Sequence, residues 1–179
     1  MSVVPESVVR LEKICKSYYG NSVLNSVDFS IEKGSVHGLI GLNGAGKTTL
    51  SNILSGITQP DSGLIILNGK TVSLPTPLAA KKAGISTIHQ NLNMNFDISI
   101  AEYIYMNVSV VHEGNFHYHS ASSRISDCQK LFDELHFDLD PRVKMKELNI
   151  GQRQYVQIAA SLALHPKLLI LDEPYSMLT

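Results

Sequence analysis

The chain has 179 residues, the usual size of one domain, and 44% of them are apolar, so it carries material for a real core and disorder is excluded for most of its length. Lys and Arg (15) nearly balance Asp and Glu (16), and only 17% of the residues are charged, which argues against a generic nucleic-acid-binding surface. Cys15 and Cys128 form no short-spaced pair, the opening MSVVPESVVR lacks the charged-then-apolar pattern of a leader, and no apolar run approaches the roughly 20 residues of a bilayer crossing; a reducing compartment and at most a peripheral membrane role are expected.

No internal repeat or low-complexity tract is present, but the periodicity changes along the chain. Residues 7–15 and 23–32 have the alternation and β-branched content of strands. Lys33-Gly34 then turns into Val36–Ile40, an apolar run that reads as a buried strand. Gly41–Gly46 is too rich in glycine for a regular element, and Thr48–Leu54 predicts a helix stopped near Gly56. Pro60-Asp61-Ser62-Gly63 makes a turn into LIILNG, another strand. Pro77–Lys82 predicts a short helix ended by Gly84, followed by a buried strand over Ile85–His89. From about Asn91 to Lys146 the chain is more polar, with helices near Ile100–Met106 and Ser123–Leu135 and no convincing strand, so it reads as a mostly helical insertion. Residues 150–164 repeat apolar side chains at Tyr155, Ile158, Ala159 and Leu162, one face of a helix; His165-Pro166 breaks it, and LLILDE supplies a last buried strand.

Between the strand and helix predicted on either side, Gly41-Leu42-Asn43-Gly44-Ala45-Gly46-Lys47-Thr48 fits the phosphate-loop spacing of a glycine, four residues, then Gly-Lys-Ser/Thr. Glycines allow the dihedrals that turn successive backbone N–H groups inward, and the helix N-terminus adds a dipole directed at the phosphates. Lys47 would reach the β and γ phosphates, and the Thr48 hydroxyl would serve as a magnesium ligand. Candidate nucleotide contacts are therefore Gly41, Asn43, Gly44, Ala45, Gly46, Lys47, Thr48 and Thr49. The bland alternative, a glycine-rich turn with an exposed lysine, must explain a match that ordinary residue frequencies make rare.

Leu168–Leu171 leads into Asp172-Glu173-Pro174, two carboxylates at the end of an apolar strand, where an open parallel sheet keeps its ligand crevice. Asp172 would hold magnesium, directly or through water, and Glu173 would orient or deprotonate an attacking water. Standing alone, the pair would be a solvated turn before a proline; the phosphate loop makes it a candidate site. The long interval from Lys47 to Asp172 demands a large insertion and fits a small GTPase poorly. His89, His112, His117, His119, His136 and His165 lack metal-ligand partners at a convincing spacing, and the His117-Tyr118-His119 pair is a poor candidate for a metal.

With Leu148-Asn149-Ile150-Gly151-Gln152 just before the helix that leads to LLILDEP, the chain resembles the ATP-binding subunits of ABC transporters over residues 7–179. In that comparison NGAGKTT is similar to the Walker A motif, Gln90 to the Q-loop glutamine, LNIGQ to the signature motif, LLILDE to Walker B, and Ser176–Thr179 to the start of the D-loop. Tyr18, or alternatively Tyr19, matches the aromatic that stacks on adenine, although Tyr18 also reads as a strand-end aromatic packed on the core. The variants SVHGLIGLNGAGKTT, GISTIHQNL and LNIGQRQ resemble monosaccharide (ribose/galactose-type) importer ATPases most, including a bulky Ile150 at the third signature position.

The resemblance implies an α/β fold: a P-loop NTPase (RecA-like) core with an antiparallel β subdomain and a helical subdomain insertion, C-terminally incomplete. The β subdomain and first part of the core would occupy 1–90, the helical subdomain 91–146, and the signature helix with the Walker B strand 147–179. It implies an ATPase using ATP and Mg2+, with Lys47, Gln90 and Glu173 in catalysis and Thr48, Gln90 and Asp172 at the metal. Two such domains would meet head to tail, so that Asn149, Gly151 and Gln152 face the ATP of the partner domain. A membrane-spanning permease, and indirectly a solute-binding protein, would be partners, with the chain peripheral on the cytoplasmic face of the membrane and no nucleic acid involved. Most relatives have serine where Asn149 stands; asparagine caps a helix equally well and adds an amide donor, so a weakened contact is expected. No histidine follows Asp172, whereas the family places one beyond the D-loop, and the tandem second half of sugar importers is missing, which suggests a fragment. Leu168–Leu171 would then lack a sheet neighbour. A nucleotide-binding module without turnover, and a soluble ABC protein of translation or DNA repair, are the competing readings.

Overall fold

The computed structural model describes residues 7–88, 97–111 and 120–172. The chain divides into two compact units, Met1–Ile85 and Ser86–Thr179.

The first unit is built on an antiparallel sheet with strand order β2-β1-β3-β4, from β1 (Ser7–Tyr18), β2 (Asn21–Glu32), β3 (Ser62–Leu67) and β4 (Lys70–Val72). Tyr18 pairs with Asn21 across a two-residue turn, Tyr19-Gly20, whose φ values of 51° and 82° match the twist that a tight hairpin needs. Asn68-Gly69 makes the second such turn, at φ 47° and 74°, so LIILNG is a strand and its hairpin turn, and β4 follows it. Val9 and Leu11 point into the core at the strand period of two, and then the phase changes: Ile14 is the next buried residue. An extra residue opposite Asp28 makes the shift; Lys13 takes φ 50°, and its N–H is satisfied by Asp28 Oδ1 at 2.8 Å. Gly63 lies against this bulge at φ 103°, where a Cβ would stand 2.6 Å from the Lys13 carbonyl oxygen, so no side chain fits.

Leu50, Ile53 and Leu54 of α1 (Lys47–Leu54) are buried on the side that packs with the sheet. Helix α2 (Pro77–Ala83) starts with Thr76 accepting from the Ala79 N–H and Pro at its first position, and ends at Gly84 in the left-handed conformation. Val36–Ile40 is not a strand. Val36 and Ile40 are 101% and 93% exposed, and no described strand bonds to the run. An apolar run becomes a buried strand only through ladder partners on its edges and layers on its faces, and the described residues supply neither to this run.

The second unit holds a helical core from α3 (Ile100–Ser109), α4 (Ala121–Leu135) and α5 (Ile150–Leu162), with Met145 and Leu148 from the segment before α5. Phe132 is fully buried among Ile100, Ile104, Val156 and Ala159. The inward face of α5 is Val156, Ala159 and Ala160; Tyr155 is half exposed and stacks on Phe137 at 5.0 Å, so the face read from Tyr155, Ile158, Ala159 and Leu162 is rotated. Ser99 and Glu102 form a capping box on α3, and the Ser99 N–H and hydroxyl hold the Glu102 carboxyl below its usual range. Burial pushes the Cys128 thiol up to about 12, and both cysteines are free. Strand β5 (Ile85–Ile88), which begins at the boundary between the units, bonds to β6 (Leu168–Leu171), so the last strand has a neighbour, although Leu171 stays half exposed. Helix α5 shares its core with α3 and α4, across the division expected at residue 147.

Candidate functional site

The candidate phosphate loop, residues 41–48, is assembled from short-range forces. Gly46 is the N-cap of α1 in the left-handed conformation at φ 87°, where a Cβ would stand 2.7 Å from Leu24 Cδ2 and 3.2 Å from the Val23 carbonyl oxygen. Only glycine brings the start of α1 this close to β2. Among the described residues no side chain caps this end, and the first turn itself has no acidic residue to compete for an anion. Across the loop, Lys47 Nζ donates to the carbonyl oxygens of Gly41 and Leu42, each at 2.8 Å, and the Ala45 N–H donates to Leu42 O at 3.2 Å. The loop's only ammonium is therefore held at the helix start. Asn43, Gly44 and Thr48 are exposed and Thr49 is half-buried. This donor set suits the oxygens of a polyphosphate.

In the second unit, Asn149 is the N-cap of α5. Its Oδ1 accepts from the Gln152 N–H at 2.9 Å, while the Asn149 N–H donates to Gln152 Oε1 at 3.0 Å, a complete capping box. Ile150 and Gly151 occupy the first turn, again without an acidic residue, and the Ile150 side chain is half exposed. Arg153 ties the preceding segment to α5 by donating to the carbonyls of Met145 and Lys146, both at 3.3 Å. Because the cap uses Asn149 Oδ1, its amide Nδ2 remains as a donor.

Asp172 follows β6 directly and its N–H donates to Ile88 O at 3.1 Å, which fixes the backbone of a half-buried carboxylate. Gln90, Glu173, Ser176–Thr179 and the His117-Tyr118-His119 pair lie outside the described residues. Among the described residues, no three His, Cys, Asp or Glu side chains gather as a metal site. Tyr18 ends β1 and is partly exposed, whereas Tyr19 is fully exposed in the turn. Lys16 Nζ lies 5.4 Å from the Tyr18 ring centroid and 2.7 Å from Asp61 Oδ1. This pair escaped the sequence reading, which treated Asp61 only as a turn residue; partners so far apart in the chain leave no spacing signal.

Residues 24–176 match the family model of the ABC transporter. The chain belongs to the ABC transporter family. It is 38% identical over 179 residues to the ribose import ATP-binding protein RbsA of Ruegeria sp. (strain TM1040), covering 96% of this chain and 33% of that protein. It is 36% identical over 175 residues to the ribose import ATP-binding protein RbsA 2 of Streptomyces coelicolor (strain ATCC BAA-471 / A3(2) / M145), covering 98% and 33%. The chain spans about a third of the length of the curated relatives it matches. Among solved structures, a nucleotide-free ATP-binding cassette from an ABC transporter is similar at a TM-score of 0.79 and 23% identity, covering 96% of this chain and 70% of that one. The fold is thus that of an ABC ATP-binding cassette. No helix among the described residues is long and apolar enough to cross a membrane.

Proposed function

We propose that this chain is the ATP-binding and ATP-hydrolysing part of an importer, energising uptake of a small solute of the monosaccharide class through a separate permease. The observation that carries the reading is the Lys47 ammonium set across Gly41 and Leu42 beside a helix start with no side-chain cap. The solute class rests on the relatives named for ribose import. Bound MgATP supplies a phosphoanhydride bond and a divalent charge; the rest falls to side chains and amides of this family. Lys47 and the backbone amides around Asn43–Thr49 take phosphate oxygens, and Tyr18 receives the adenine. The Thr48 hydroxyl, the Asp172 carboxylate and Gln90 are hard oxygen donors suited to Mg2+. Glu173 orients a water and takes its proton.

Asn149, Gly151 and Gln152 face the γ phosphate held by a second ATP-binding domain, in a head-to-tail pair. Residues 91–146 are the permease-facing part, a solute-binding protein acts indirectly, and the assembly places the chain on the cytoplasmic face of the membrane. A second reading, a module that binds nucleotide without turnover, rests on Asn149 standing where most of the family has serine: its Oδ1 is the cap acceptor, so only the amide Nδ2 is left to reach a phosphate, in place of a hydroxyl that caps and donates at once. The test is Lys47→Ala: a lost charge-assisted contact should weaken ATP binding by about ten- to a hundredfold. Unchanged affinity in calorimetry would overturn the reading. Magnesium-dependent phosphate release by the assembled complex separates the ATPase from the silent module.

A further inference from the structure

Tyr18 is positioned by residues from another strand. Asp61, just before β3, binds three consecutive residues at the end of β1: its N–H donates to Cys15 O at 2.8 Å, its Oδ1 accepts from Lys16 Nζ at 2.7 Å, and its Oδ2 accepts from the Ser17 N–H at 2.7 Å. Lys16 is unusual for a surface lysine, with a side chain only 16% exposed. Its ammonium reaches back over the ring of Tyr18 at 5.4 Å. Both carboxylate oxygens are used, and the hydrogen bonds from Lys16 and Ser17 hold the Asp61 carboxyl below the usual range. An exposed ion pair alone would contribute little, but this one also fixes the backbone leading into Tyr18.

We propose that Lys16 and Asp61 are a positioning pair for Tyr18, in which the ammonium covers one face of the phenol ring, the carboxylate holds the ammonium in place, and the base of a purine nucleotide stacks on the other face. The inference rests on the reading of Tyr18 as the base-stacking residue. A ring whose rotamer is set beforehand loses less freedom when the base arrives, which favours binding without any contact between Lys16 and the nucleotide.

The test compares a non-hydrolysable ATP analogue with inorganic tripolyphosphate, which needs the phosphate cradle and has no base. Both are titrated calorimetrically into the full chain with Lys16→Met, Lys16→Arg, Asp61→Asn or Tyr18→Ala. Lys16→Met and Asp61→Asn should each weaken the nucleotide about two- to fivefold, the size of a cation–π contact at a partly exposed site. Both should leave tripolyphosphate unchanged. Lys16→Arg should restore nucleotide affinity, since guanidinium can serve ring and carboxylate together. Lys16→Met should cost nothing further once Tyr18→Ala is present. If nucleotide and tripolyphosphate weaken together, or if Lys16→Met costs as much without the ring, the pair serves only the sheet and the proposal falls. If Tyr18→Ala weakens the nucleotide but Lys16→Met does not, this inference alone fails. If Tyr18→Ala changes nothing, the base-stacking reading fails, and the positioning role with it.

Discussion

Truncating Asn149 to alanine removes one defined bond from the start of α5. Its Oδ1 accepts from the Gln152 N–H at 2.9 Å, while the reciprocal bond from the Asn149 N–H to Gln152 Oε1 uses the backbone and survives the truncation. The expected cost is therefore that of one N-cap, about 1 kcal/mol. In a chain of this size that lowers Tm by about 2–4 °C. Asn149→Ser is the control, because a serine oxygen occupies the same acceptor position and should bring the loss to within about 0.5 kcal/mol of the original. Thermal unfolding followed by circular dichroism, with urea midpoints as a second measure, reads both variants. The reasoning is refuted if alanine melts with the unmodified chain, since the cap would then add nothing beyond hydration. It is equally refuted if serine melts as low as alanine, since the amide nitrogen rather than the capping oxygen would then carry the effect.

The remaining predictions concern other parts of the structure. In an assembled complex Asn149→Ser should hydrolyse ATP faster, because asparagine weakens the proposed signature contact; phosphate release no faster than the original counts against that weakening. Gly46→Ala places a Cβ near Leu24 and the Val23 carbonyl at a left-handed φ, so urea denaturation should show a loss of about 1–3 kcal/mol, with nucleotide affinity falling as well. Phe132→Ala empties the centre of the helical core and should cost about 3–5 kcal/mol; a loss below 1 kcal/mol would mean that the core collapses around the gap. Asp61 has a lowered folded pKa, so its contribution is present above the unfolded pKa and is lost as pH falls through the folded one. Chemical denaturation should therefore separate the original chain from Asp61→Asn at neutral pH, with the gap closing below the ordinary carboxylate range; a pH-independent gap would exclude a charge-specific role.

Features whose partners lie within a few residues were legible in the chain. The glycine loop before α1, the end of α2 at Gly84 and the helix starting at Ile150 all follow from short spacings, and the structure adds the Thr76 cap of α2 and the capping box at Ser99 and Glu102, which rest on equally short ones. The Asn68-Gly69 hairpin was also legible in principle: this dipeptide is a strong turn signal, and it was read as part of a strand. The rotated face of α5 had no such signal. Tyr155 is apolar enough to suit a core, but Phe137 offers it a stacking partner at the surface while Val156 takes the interior position.

By itself, then, the amino-acid order determined the glycine loop that leads into α1 at Lys47 and the order of most helices and strands, because local hydrogen bonds and steric limits act over three or four residues. Tertiary structure alone decided that Val36–Ile40 stays outside the sheet, that β1 changes phase at Lys13 against Asp28, and that Asp61 holds Lys16 against Tyr18. Those outcomes depend on which distant segments become ladder or ion-pair partners, and no periodicity within one segment carries that information.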